Sequence, residues 1–140
     1  ASRAYRTVSH AAATVLAGLL QLELVTACHA EVYRRTRLLQ IPRGRQWDKA
    51  SRVIKLQAET VMVGKWREYL ANRTVTKYGR RTVDAVLPHL DAWLDGRRHG
   101  LTFRATQVLT GHGCFGKYLC RIWKKADTRC HHCDEVLDMA

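Results

Sequence analysis

Apolar positions recur at steps of three and four along most of this chain, the spacing that gathers them on one side of an α-helix. The run Ser9 to Ala17 opens on a good N-cap residue and is followed by Gly18, a common helix stop, so a short helix is predicted there. A second helix follows, with Leu22, Val25, His29, Val32 and Tyr33 as its apolar stripe. Arg34, Arg35 and Arg37 stand at its C-terminal end, where cations suit the helix dipole. Ile41-Pro42-Arg43-Gly44-Arg45 breaks the pattern, because proline restricts its predecessor and glycine favours a turn. From Asp48 to about Leu70, Val53, Leu56, Thr60, Val63, Arg67 and Leu70 run beside Ile54, Val61, Trp66 and Tyr69, the broad face of a long helix. Gly64 weakens that helix locally.

The second half is more broken. Asn72 to Arg81 carries Arg73, Lys77, Arg80 and Arg81 around Gly79 with few apolar residues, and reads as a basic connection. After Pro88 a short helix is predicted, with Leu90, Trp93 and Leu94 on its inner face and Gly96 closing it. Leu101 to Leu109 fits a helix with Phe103, Thr106, Gln107 and Thr110 along one side; its β-branched residues leave a strand as the alternative, and the helix is the reading adopted. Gly111-His112-Gly113 is a tight break, after which Phe115, Tyr118, Leu119 and Ile122 return at helical spacing. The class expected is therefore mostly α.

Charge sharpens this picture. The chain has 140 residues, room for one domain with a real core. Its 46% hydrophobic and 26% charged residues are ordinary for a folded chain, but 24 Lys and Arg against 12 Asp and Glu leave a net charge of +12. Such a bias favours polyanions. The cations expected to neutralise phosphates are Arg34, Arg35, Arg37, Arg43, Arg45, Arg80, Arg81, Arg97, Arg98, Lys124 and Lys125. Trp47, Trp66, Trp93 and Trp123 could each stack on unpaired bases, although each taken alone reads first as core; Trp123, between Ile122 and Lys124, is the first to be considered exposed and is placed in the expected interface. No apolar run reaches the roughly 20 residues that span a bilayer, and no membrane partner is expected.

The cysteines carry the sharpest local motif. Cys130-His131-His132-Cys133 can offer two thiolates to one tetrahedral zinc from the same side, which is half a site. Cys114 and Cys120 are further ligand candidates, although Cys120 stands among apolar residues and fits a core thiol as well. Five cysteines, four of them clustered, do not suit a secreted disulfide framework, so an intracellular setting is expected. His112 and Cys114 are too close across a glycine to form a nucleophile and base, and His112 reads as a residue that packs in a turn. No paired acids, P-loop, dinucleotide fingerprint or zinc-hydrolase motif occurs, so no catalytic residue is assigned. The start at Ala1 without methionine and the end just after a cysteine pair lead us to expect a fragment.

Several words of the sequence resemble the segment after the polymerase domain in type-1 non-LTR retrotransposon polyproteins of insects, among them elements that insert into ribosomal DNA. They are Arg3-Ala4-Tyr5-Arg6-Thr7-Val8-Ser9, Ala13 to Gly18, Leu22-Glu23-Leu24, Trp66-Arg67-Glu68, Gly79-Arg80, Leu87-Pro88 and Trp93. The most specific is the block Gln107 to Leu119, with Thr110-Gly111-His112-Gly113-Cys114-Phe115 ahead of a Cys-x-x-Cys pair. Leu19-Leu20 departs from the pattern, standing where related sequences often carry prolines.

The resemblance implies a parent polyprotein with an endonuclease, a central RNA-directed DNA polymerase (reverse transcriptase) and a C-terminal Cys/His knuckle. Residues 1–125 would be its basic helical region after the polymerase, and 126–140 the start of the knuckle. Cys130 and Cys133 would be half of a zinc site whose His and third Cys lie further on. Magnesium would serve the parent's polymerase and endonuclease and would not be held by this segment. The implied partners are element RNA, target DNA and the rest of the polyprotein, and the implied place of action is the nucleus. A free-standing basic helical adaptor for a protein partner is the rival reading.

Overall fold

A computed structural model of the protein describes residues 8–72, 74, 76–96 and 100–130. Among these the chain is a small, mostly helical domain with seven α-helices and no strand. The helices are α1 His10–Ala17, α2 Leu22–Arg37, α3 Arg45–Ala71, α4 Arg80–Val86, α5 Leu90–Gly96, α6 Phe103–Thr110 and α7 Gly116–Arg121, with a 3-10 turn at Leu87–His89 between α4 and α5. The chain falls into two compact units, Leu19–Val75 and the pair of segments Ala1–Gly18 and Thr76–Ala140. No single described helix is long and apolar enough to cross a membrane.

The unit of Leu19–Val75 is a pair of helices, α2 packed on α3. Arg35 crosses between them, its Nη2 donating to Gln57 Oε1 at 2.7 Å. On α3 the buried positions are Ile54, Ala58, Trp66 and Leu70, an i, i+4 row that follows one side of the helix. Ile54, Trp66 and Leu70 of the expected face are thus buried, while Val53, Leu56 and Val61 of the same face are exposed. Periodicity alone could not separate the two sides, because apolar residues lie on both and small Ala58, which the expected face lacked, is buried with the larger residues. On α2 no residue is fully buried, and Leu22 and Tyr33 of the expected stripe are exposed.

The other unit is organised around α4. Ser9 caps α1 through its side chain, accepting from the Ala12 N–H at 3.3 Å, and Gly18 ends the helix in the left-handed conformation. The buried face of α1, Ala11, Ala12, Val15 and Leu16, meets α4, whose Thr82, Val83 and Val86 are buried. Gly79 just ahead of α4 has φ +84, and a Cβ there would lie 2.0 Å from Ser9 Oγ and 2.8 Å from Ala12 Cβ, so glycine is what lets the chain pass the start of α1. On its other side α4 meets α6, where Thr82 Oγ1 donates to the Leu109 carbonyl at 3.0 Å.

Pro88 sits in the 3-10 turn and α5 follows with Leu90 buried, close to expectation. Trp93 is half-buried and its Nε1 donates to the Val15 carbonyl at 2.9 Å, tying α5 to α1. The stretch around Leu101 to Leu109 is helical, as adopted, and Thr102 caps it by accepting from the Ala105 N–H at 3.2 Å. α4 itself is the element the sequence reading missed: it falls partly in the expected basic connection and partly in a stretch left unassigned. Its buried side is made of β-branched residues that carry little helix propensity, and packing against two neighbours overrides that weakness.

Candidate nucleic-acid interface

Three positive side chains converge on the turn between α6 and α7. Gly111, with φ +67, ends α6 in a left-handed cap, and Gly113 has φ +124, so the turn Gly111-His112-Gly113 rests on conformations that side chains rarely adopt. A Cβ at Gly113 would come within 2.6 Å of the buried Gln107 side chain, which the turn folds over. Arg81 lies along the bare side of Gly111, its Nη1 3.4 Å from where a Cβ would sit. Arg104 points Nη1 at Gln107 Oε1, 3.5 Å away, and at Cys114 Sγ, 3.9 Å away. Arg121, last residue of α7, places Nη2 3.3 Å from His112 Nε2 and its guanidinium over the Tyr118 ring, 5.2 Å from the centroid.

His112 is the inner member of this group. Its ring is buried against Tyr118, with centroids 4.8 Å apart. Nδ1 lies 2.9 Å from the Thr110 carbonyl, which can only accept, so Nδ1 carries the proton and Nε2 is the bare nitrogen facing Arg121. Burial pushes the His112 pKa below its usual 6.5, and the Arg121 charge adds to that, against the opposing pull of the Thr110 carbonyl. His112 thus packs in the turn as expected, a neutral ring seated among cations.

α7 ends in a second unusual turn. Trp123 N–H donates to the Cys120 carbonyl at 3.1 Å and Lys124 N–H to the Leu119 carbonyl at 2.9 Å, the paired bonds of a Schellman cap. The residue past the C-cap, where glycine is favoured, is Trp123, with φ +60. Its side chain is 94% exposed. A bulky residue in a left-handed backbone, burying nothing, is held against local preference. Just beyond, Lys125 donates to the Arg129 carbonyl and pairs with Asp127 at 3.3 Å. The carbonyls of Thr128 and Arg129 approach Gly116 so closely that a Cβ there would meet them at 2.6 and 2.5 Å.

The other expected cations are scattered and mostly engaged. Arg34 pairs with Glu31 at 2.5 Å, Arg35 bonds Gln57, Arg37 lies over Tyr33, and Arg43 lies over Trp47 at 4.7 Å. Arg45 is exposed at the first position of α3. Arg80 is paired with Asp84 at 2.6 Å and donates to Thr76 Oγ1 at 2.9 Å. Arg97 and Arg98 lie outside the described residues, as do His131, His132 and Cys133. Lys124 is exposed beside Trp123. Of the expected set, then, Arg81 joins the turn, Trp123 and Lys124 form the exposed tip, and Arg34, Arg80 and Lys125 are tied to carboxylates.

Arg104 and Arg121 are absent from the set expected from the sequence, where each stands with no cation within three positions on at least one side and no cationic neighbour. A simpler signal was present, since no acidic residue occurs between Asp95 and Asp127. Half-buried Cys130 is the described member of the cysteine pair, and among the described residues no three of His, Cys, Asp and Glu are placed to hold a metal. The described residues therefore do not by themselves amount to a zinc site. No family model, curated protein or solved structure matches the chain.

Proposed function

We propose that this chain is a nucleic-acid-binding segment of a non-LTR retrotransposon protein, the basic helical region that follows a reverse transcriptase. The observation that carries the binding part is Trp123, held fully exposed in a left-handed turn beside Lys124. Exposed aromatic rings next to cations serve as stacking platforms for bases of an unpaired strand. The retrotransposon part rests on the resemblance of the Gln107 to Leu119 block, which forms the second half of α6, the glycine turn and most of α7.

In the intact protein the polymerase and endonuclease, with their magnesium, would do the chemistry. This segment would hold element RNA or target DNA at the nuclear site of insertion. Cys130 and Cys133, joined by a His and a Cys from further along a longer chain, would form the zinc knuckle. Nothing in this chain is assigned a catalytic role.

A second reading is a helical adaptor for a protein partner, favoured by exposed Val53, Leu56 and Val61 on α3. One pair of variants separates the two. Trp123→Gly should lower affinity for single-stranded RNA by about 1–3 kcal/mol, the worth of one stacked base, while Trp123→Phe retains most of it. Unchanged RNA affinity in Trp123→Gly would remove the observation on which the binding reading stands.

A further inference from the structure

Arg81, Arg104 and Arg121 come from three helices, yet each ends against the same five-residue turn, Thr110 to Cys114. Their contacts fall on Gly111, His112 and Cys114. Since successive Cα atoms are 3.8 Å apart, those three residues span at most about 11 Å. Each arginine is exposed as a residue and none makes an ion pair among the described residues. Their partners are neutral: a glycine face, an amide, a thiol, an imidazole and a phenol ring. The three are like charges that repel one another, and among the described residues no carboxylate pairs with any of them to offset that repulsion.

The scaffold under them is fixed. Thr82 anchors the start of α4 to the end of α6, Gln107 fills the space under Gly113, and the neutral His112 ring backs Arg121. The glycines leave no side chain over the turn to block approach. Planar guanidinium forks present paired N–H donors matched to the oxygens of a phosphate group.

We infer that Arg81, Arg104 and Arg121 form a phosphate-binding site over the Thr110–Cys114 turn, whose ligand is a phosphodiester of a nucleic-acid backbone. The assignment of the backbone as ligand rests on the nucleic-acid reading; the existence of the site does not. It adds Arg104 and Arg121 to the interface and places a phosphate contact two residues from Trp123, so that one strand can be held by its backbone and read by the face of a base.

The test uses the full chain and follows the His112 and Tyr118 ring resonances by NMR against three probes. These are inorganic phosphate, a single-stranded oligonucleotide without terminal phosphates, and the same oligonucleotide with an uncharged methylphosphonate backbone. The phosphodiester oligonucleotide should move both rings, and the methylphosphonate should not. A response to inorganic phosphate with none to either oligonucleotide would keep an anion site but overturn its nucleic-acid ligand, while the proposed function would still be tested separately at Trp123. Silence of both rings toward phosphate and phosphodiester alike would overturn the site, even if RNA still bound elsewhere through Trp123. Replacing all three arginines by glutamine should leave the thermal midpoint unchanged or raised. It should also make the slope of log affinity against log salt for single strands shallower by about 0.7, the share of the one phosphate the three arginines hold. An unaltered slope in that variant would equally overturn the proposal.

Discussion

Arg121 holds its Nη2 3.3 Å from His112 Nε2, and this contact requires the histidine to be neutral. With Nδ1 committed to the Thr110 carbonyl, a second proton would have to sit on Nε2 and face the guanidinium directly. The cluster thus couples the charge of an exposed arginine to a buried ring.

A pH dependence follows with a definite sign. The folded pKa of His112 lies below the unfolded value, so the unfolded chain takes up the proton first as pH falls. The stability contribution is complete above about 6.5 and is lost as pH drops through the lower folded value. Urea midpoints for the protein and for His112→Gln, compared between pH 7.5 and about 5, should converge toward acid. Parallel profiles would show that the ring titrates alike in both states.

The hydroxyl of Thr82 should be worth more than its size suggests. It is buried and bonds the Leu109 carbonyl across the α4 to α6 contact. Thr82→Val keeps the shape and removes the donor, leaving that carbonyl short of a partner at a cost of about 1–3 kcal/mol. A denaturant midpoint shift within error would mean that water takes over the bond.

Glycines at two positions should answer alanine oppositely. At Gly79 the positive φ and the contacts with Ser9 and Ala12 leave no room, and Gly79→Ala should cost about 3 kcal/mol from strain and overpacking. At Gly64, inside α3, nothing lies within 4 Å of an added Cβ, so Gly64→Ala should stabilise by about 0.5–1 kcal/mol. Thermal melts of the two variants check both signs at once.

These positions also show what the sequence made legible. Ser9, Gly18, Pro88 and Gly96 mark ends of helices through local chemistry, and so they could be read without any tertiary information. The inner face of α3 could not, since Val53 and Leu56 are as apolar as Ile54 and only packing chooses between them. α4 was hidden because its buried side is Thr82, Val83 and Val86, residues that a lone helix would not favour. In the candidate interface, Trp123 stood out through its neighbours, and Arg81 through its pairing with Arg80. Arg104 and Arg121 did not, because what unites them with Arg81 is a turn that brings three helices together.

Binding of single-stranded RNA to the full chain, measured by fluorescence anisotropy from about 50 to 200 mM salt, is the most direct test of the proposed role. The account predicts binding at low salt that weakens steeply, as counterions return to phosphates released from the arginines and lysines. No binding of RNA at low salt, or an affinity indifferent to salt, would contradict it and turn attention to the exposed apolar face of α3.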